Sequence, residues 1–190
     1  MDQELAFPYL CLPPKEDVDS FRDFVRKNTH DVFLKQNGNI QPCLFCDDGE
    51  QLYMTIIPHH LVYFPKMACS LIESLSSRLP KKVLFKGYAV SAWKANKELI
   101  ELVEMGVDIE QISEKLKAVA TGKILPQEGS CNESLIIYLR MDNGPFSSFE
   151  IWKSNINRSE LGITLSEWDV PNQEDALGSV FNEYFGELTR

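Results

Sequence analysis

Cys43 and Cys46 stand three residues apart, a spacing at which paired thiols can hold zinc or run a redox cycle. Zinc needs a knuckle turn that makes both sulfurs converge. Here the pair falls in an apolar run, Ile40 to Cys46, that reads as a strand. In a strand, residues i and i+3 point to opposite faces, so these thiols are expected to diverge. No second Cys or Cys/His pair follows at finger spacing. A redox pair would open a helix, whereas Asp47-Asp48-Gly49 follows instead. The cysteines therefore read as structural, with no metal and no cofactor expected.

His59-His60 follows Pro58 at the exit of the next strand, where paired imidazoles can ligate a metal or act as a base. The nearest acids, Asp47, Asp48 and Glu50, lie at the opposite end of that strand. Six extended residues span about 20 Å, so this hairpin alone cannot unite them. A site would have to borrow Cys131 or Glu133 from another strand end. His59, His60 and Glu133 are thus the catalytic candidates, and a small metal-dependent hydrolase is the activity they would serve. Ser130 and Ser134 lack the Gly-flanked elbow of a serine hydrolase. No phosphate loop or dinucleotide fingerprint occurs.

These residues need a scaffold, and the chain is sized for one domain spanning residues 1–190. Its 44% hydrophobic and 11% aromatic content is ordinary for a globular protein. The net charge of −9 is unevenly spread. Residues 32–166 carry fifteen acids and fourteen bases, whereas residues 167–190 carry six acids against Arg190 alone. That distribution argues against direct nucleic-acid binding, which needs clustered Lys and Arg. It suits a basic protein partner, or an acidic DNA-mimic inhibitor. The opening residues are acidic, no leader or membrane span is read, and five cysteines is an odd count. A cytoplasmic protein with reduced thiols and no membrane association is expected.

Along the chain, Leu10-Cys11-Leu12 suits an edge strand, and a helix starts near Lys15–Asp17 with Val18, Phe21 and Val25 at helical spacing. Asn37-Gly38-Asn39 closes that segment. Ile40–Cys46 and Leu52–Ile57 flank Asp47-Asp48-Gly49-Glu50, a hairpin signature. Pro42 places the first of these strands at an edge, or marks its start. Pro65 opens a helix over 66–79, with Ala68, Leu71, Ile72, Leu75 and Leu79 forming one stripe before Pro80. Strands follow at Val83–Trp93, Ser134–Met141 and Phe149–Lys153, and alternation at Leu161, Ile163 and Leu165 suggests another.

Residues 96–126 read as a helical hairpin. Gly106 ends its first helix, and Asp108 with Gln111 caps the second. Its span from Asn96 to Lys123 has four lysines against six acids, a poor composition for a DNA reader. Residues 173–188 form a C-terminal amphipathic helix. Its face of Leu177, Phe181, Tyr184 and Phe185 is suited to a protein partner or to self-association.

Pro42 to Gly49, Ser91-Ala92-Trp93 and Glu133-Ser134-Leu135-Ile136-Ile137 carry a resemblance across residues 40–153. This order resembles a family of uncharacterised bacterial and phage proteins. Those have a strand pair around an acidic-Gly turn, a helix, a strand ending in Ala-Trp, and a strand opened by glutamate. Ser91 stands where the family often has Glu, and the hairpin is unusually long for it. The resemblance implies the fold and no mechanism.

The expected architecture is a single α+β domain. A mostly antiparallel sheet of five or six strands carries helices packed on one face, with the helical hairpin as an excursion. The expected function is a non-catalytic cytosolic interaction or regulatory protein, with a phage origin fitting the resemblance. The hydrolase and the DNA mimic are the alternatives.

Overall fold

The computed structural model describes residues 9–59, 61, 65–95, 131–143 and 146–169. The helical hairpin at 96–126 and the C-terminal helix at 173–188 fall outside the described residues. The elements run β1 (Leu10–Leu12), α1 (Val18–Lys35), β2 (Cys43–Asp47), β3 (Leu52–Ile56), α2 (Pro65–Ser76), β4 (Phe85–Ala95), β5 (Cys131–Asn143), β6 (Phe146–Ser159) and β7 (Gly162–Leu165).

Helix α1 begins where Asp17 caps it, its carboxyl accepting the Ser20 N–H at 2.7 Å. That bond holds the Asp17 carboxyl below its ordinary pKa. The Val32-Phe33-Leu34 run, compatible with either structure by pattern, is the last turn of this helix. Asn37 and Gly38 then adopt positive φ, and the Gly38 N–H returns to the Phe33 carbonyl. Helix α2 opens on Pro65 as its sequence suggests, but ends at Ser76 rather than Leu79.

The strands form a seven-stranded antiparallel sheet in the order β1-β3-β2-β4-β5-β6-β7, two or one more than the five or six strands expected. The additional strands are the short outer ones, β1 and β7. Three or four residues carry too little alternation to define a strand by pattern alone. Strand β2 is interior, between β3 and β4, so Pro42 marks its start rather than an edge.

The expectation of helices on one face is corrected. Phe45 opposes Met54 on one side and Gly87 on the other, which puts all three on one face. Helix α1 covers that face: Phe21 packs on Phe85 and Phe24 on Phe45, at ring separations of 5.4 and 6.3 Å. Helix α2 covers the opposite face, where Leu44, Cys46, Tyr88 and Val90 form a core with Ala68, Cys69, Ile72 and Leu75. Tyr138 stacks between Tyr88 and Phe149 on that side. The cause is compositional. Strands such as Leu44-Phe45-Cys46 and Leu135 to Leu139 are apolar at successive positions, so both faces must leave water. Each fully buried Leu, Ile or Phe is worth about 1.5–3 kcal/mol, which one helix layer could not have secured for both sets.

The chain divides into two compact units. The first takes its described residues from 9–90 and 136–152 and contains both helices. The second takes them from 91–95, 131–135 and 153–169. In this second unit, Ile156 pairs with Leu165 and Ser159 with Gly162. Ser166 extends the ladder: its N–H reaches the Asn155 carbonyl, and its own carbonyl accepts the Ser154 hydroxyl at 2.7 Å.

Gly87 is where α1 approaches the sheet most tightly. A Cβ there would stand 3.1 Å from Leu139 Cδ2 and 3.4 Å from Val25 Cγ2. A Gly87→Val variant is expected to lose about 1–3 kcal/mol by overpacking this seam, read as a lowered urea midpoint with an unchanged slope.

Candidate functional site

The cysteine pair is separated by the sheet itself. Cys43 shares the α1 face with Phe45, while Cys46 points to α2, its sulfur 3.6 Å from the Ser76 hydroxyl. Burial pushes the Cys43 thiol up to about 12 and the Cys46 thiol up to about 11. Burial likewise pushes Cys69 up to about 12. These sulfurs stay protonated at neutral pH and are poor nucleophiles. Cys11, on the short outer strand β1, is exposed.

The acidic turn does structural work. Asp47 is 0% exposed, and its carboxyl accepts the Lys15 N–H at 2.7 Å and the Gly49 N–H at 2.9 Å. Its carbonyl also accepts the Leu84 N–H at 2.8 Å. Asp48 Oδ1 accepts the Glu50 and Gln51 N–H groups, closing the turn in which Gly49 sits at φ +83°. Both carboxyls are therefore occupied in shaping the backbone.

Of the catalytic candidates, His59 lies in a short turn after β3, in the first unit, and His60 lies outside the described residues. The register of β2 and β3 puts His59 at the end of the hairpin remote from Asp47, Asp48 and Glu50. Glu133 belongs to the second unit. It is 5% exposed, and both its oxygens are taken by Arg158: Nε to Oε2 at 2.6 Å and Nη2 to Oε1 at 2.8 Å. That pairing raises the Arg158 pKa further. Ser134, beside it, bonds Asn155 Oδ1 at 3.1 Å. Among the described residues no group of three or more His, Cys, Asp and Glu is arranged to hold a metal ion. Nor is any helix among them long and apolar enough to cross a membrane. The partner-facing candidates Leu177, Phe181, Tyr184 and Phe185 lie outside the described residues, and of Cys131 only the backbone is described.

Two features of the α1 face escaped sequence reading. The first is a polar knot on β6. Arg22 clasps Glu150 with two bonds of 2.8 and 2.7 Å, and Trp152 Nε1 donates to the same carboxyl at 2.8 Å. Arg26 lies over the Trp152 ring, 4.2 Å from its centre. Arg22 also pairs with Asp19, and these acids hold its pKa above the ordinary value. The four-residue step from Arg22 to Arg26 places them on one helical face, but nothing in a single sequence links them to a strand 128 residues away.

The second feature is a cleft of about 200 Å³ between α1 and the β2–β3 hairpin. Its walls are Thr29 and Val32 of α1 and Cys43, Phe45, Met54 and Ile56 of the strands. Asn28, Gln36 and Gln41 also border it, and none of its lining residues is charged. Thr29 continues the buried stripe of Phe21, Val25 and Phe33 at four-residue steps. The stripe is legible in sequence, whereas the gap facing its polar member is not.

No family model matches this chain, and neither a curated protein nor a solved structure matches it. The likeness of residues 40–153 to an uncharacterised family thus rests on the strand pattern alone.

Four outcomes follow from this geometry. Asp47→Ala removes the acceptor for two backbone N–H groups and is expected to cost about 3 kcal/mol in chemical denaturation. Arg158→Met leaves the buried Glu133 carboxyl unpaired. Because Arg158 is partly exposed, with 23% side-chain accessibility, the expected loss is about 2 kcal/mol, below that of a fully buried pair. The raised thiols contribute stability that is complete below the ordinary thiol value of 9.0 and is lost as pH rises through 11 to 12. At pH 8, alkylation followed by mass spectrometry is expected to mark Cys11 well before Cys43, Cys46 or Cys69.

Proposed function

We propose that this is a non-catalytic interaction or regulatory protein, acting through a protein partner or a second copy of itself. The observation that carries the reading is the Glu133–Arg158 pair. Glu133, one of the three catalytic candidates, has both carboxyl oxygens bonded to one guanidinium. Asp47, Asp48 and the raised thiols support it in the same sense, each being used in a turn or a core. A general acid or base needs a carboxyl free to reach substrate, and a nucleophilic cysteine needs an accessible thiolate.

The contact surface in this reading is the acidic C-terminal segment. Residues 167–190 carry six acids against one base, interleaved with Leu177, Phe181, Tyr184 and Phe185. That composition suits a partner with a basic rim around an apolar groove. A cytoplasmic setting fits the same composition, with charge for solubility and cysteines that need no oxidation.

The test uses the full chain as bait in a lysate of the source organism, beside a Phe181→Asp/Phe185→Asp bait, with light scattering to detect self-association. A partner or dimer retained by the wild type and lost in the double variant is the expected result. Equal retention by both baits would remove the C-terminal surface from the reading. Stoichiometric zinc or manganese in the purified protein, with a turnover abolished by His59→Ala, would replace it with the hydrolase.

A further inference from the structure

Strands β1 and β7 end the sheet, and their outer edges are unlike. Strand β1 is three residues long and runs directly into Pro13 and Pro14, features that keep a sheet edge from pairing. Around β7, Gly162 to Asp169 contains no proline, and the ladder continues through Ser166. The Ser166 N–H reaches the carbonyl of Asn155, the residue opposite it in this register. Bonded pairs alternate along an antiparallel ladder, so Asn157–Thr164 and Ser159–Gly162 turn their backbone groups to each other. The N–H and C=O groups of Ile163 and Leu165 therefore point away from β6, and they carry no hydrogen bond among the described residues. Leu161, at the hairpin tip beside them, is 100% exposed.

We propose that the outer edge of β7 takes up an extended, basic segment of a partner protein as a further strand. The backbone of Ile163 and Leu165 supplies the pairing. Their side chains lie on the face of Ile156, so an added strand sets alternate apolar residues along that face. Charge selects the occupant. Residues 160–169 hold Glu160, Glu167 and Asp169 and no base. Lys153 and Arg158 stand one strand in from the edge, and Arg158 is held by Glu133. A second copy of β7 would bring the same three acids to this edge, and the rest of the C-terminal segment is acidic too. Like charges across a strand pair are unfavourable, whereas Lys or Arg at both ends of an incoming strand complements the edge. This role rests on the interaction reading, and the surface overlaps the acidic C-terminal segment only at Glu167 and Asp169.

Three synthetic peptides test this on the full-length protein by amide-resolved hydrogen exchange. They are Lys-Arg-Val-Thr-Val-Lys-Arg, its acidic counterpart Glu-Asp-Val-Thr-Val-Glu-Asp, and the basic peptide with proline in place of its threonine. The first is expected to slow exchange at Ile163 and Leu165 by about tenfold at saturation, with Thr164 already protected by β6. The acidic and proline peptides are expected to leave both amides open. Leu165→Pro removes an outward N–H and no bond to β6, so it should abolish the protection at Ile163 while Thr164 stays slow. Glu167→Lys/Asp169→Lys, which leaves the ladder untouched, should transfer the preference to the acidic peptide and decides the matter if the proline variant loosens Thr164. No slowing at Ile163 and Leu165 with the basic peptide would overturn the proposal. So would equal slowing by the acidic or proline peptide, or a preference that survives the charge reversal. Phe181→Asp/Phe185→Asp is expected to keep peptide binding, so failure here and failure of the C-terminal surface are read separately.

Discussion

The buried carboxyl of Asp47 is the constraint on which the first unit depends. One residue at the end of β2 accepts the Lys15 N–H ahead of α1 and the Gly49 N–H inside the hairpin turn, while its carbonyl takes the Leu84 N–H ahead of β4. Three segments far apart in sequence are thereby held at one strand end. A buried polar group must be satisfied, so each of these bonds is required as well as permitted. The position of α1 over the sheet follows from it. The chain leaves Lys15 in a fixed place, Asp17 caps the helix two residues later, and Phe21 and Val25 come down over Phe85 and Gly87.

With α1 fixed on one face and α2 on the other, the interior strands can be apolar on both sides. This is the arrangement of a sheet whose strands read as continuous hydrophobic runs. Several polar residues that remain inside are spent on alignment. Glu150 is clasped by Arg22 and Trp152, Glu133 by Arg158, and Ser76 meets Cys46. A carboxyl held on both oxygens positions neighbouring elements well and exchanges protons poorly. Asp47 and Glu133, carboxyls that could by residue type have served as acids or bases, are thus structural ties in the fold.

Thr29 departs from that economy. It occupies a buried position in a stripe otherwise filled by Phe and Val, yet its hydroxyl has no local use among the described residues. Natural sequences are locally consistent except where a site or a strain intervenes.

Much of the fold was legible from local rules. The Asp17 start of α1, the Asp-Gly hairpin turn, the Pro65 start of α2 and the diverging thiols all follow from backbone preferences and the two-residue period of a strand. These are near-neighbour effects, and a sequence by itself determines them. What only the tertiary structure decided depends on groups distant in the chain. Periodicity shows that a face is apolar but not which helix covers it, so α1 and α2 on opposite faces could not be read. Glu133 looked like an available acid until Arg158, twenty-five residues on, took both its oxygens. Arg22 found Glu150 across 128 residues, and Thr29 found a gap instead of a partner. Whether a polar side chain is free or spent depends on what folding brings beside it, and its own residue type does not encode that.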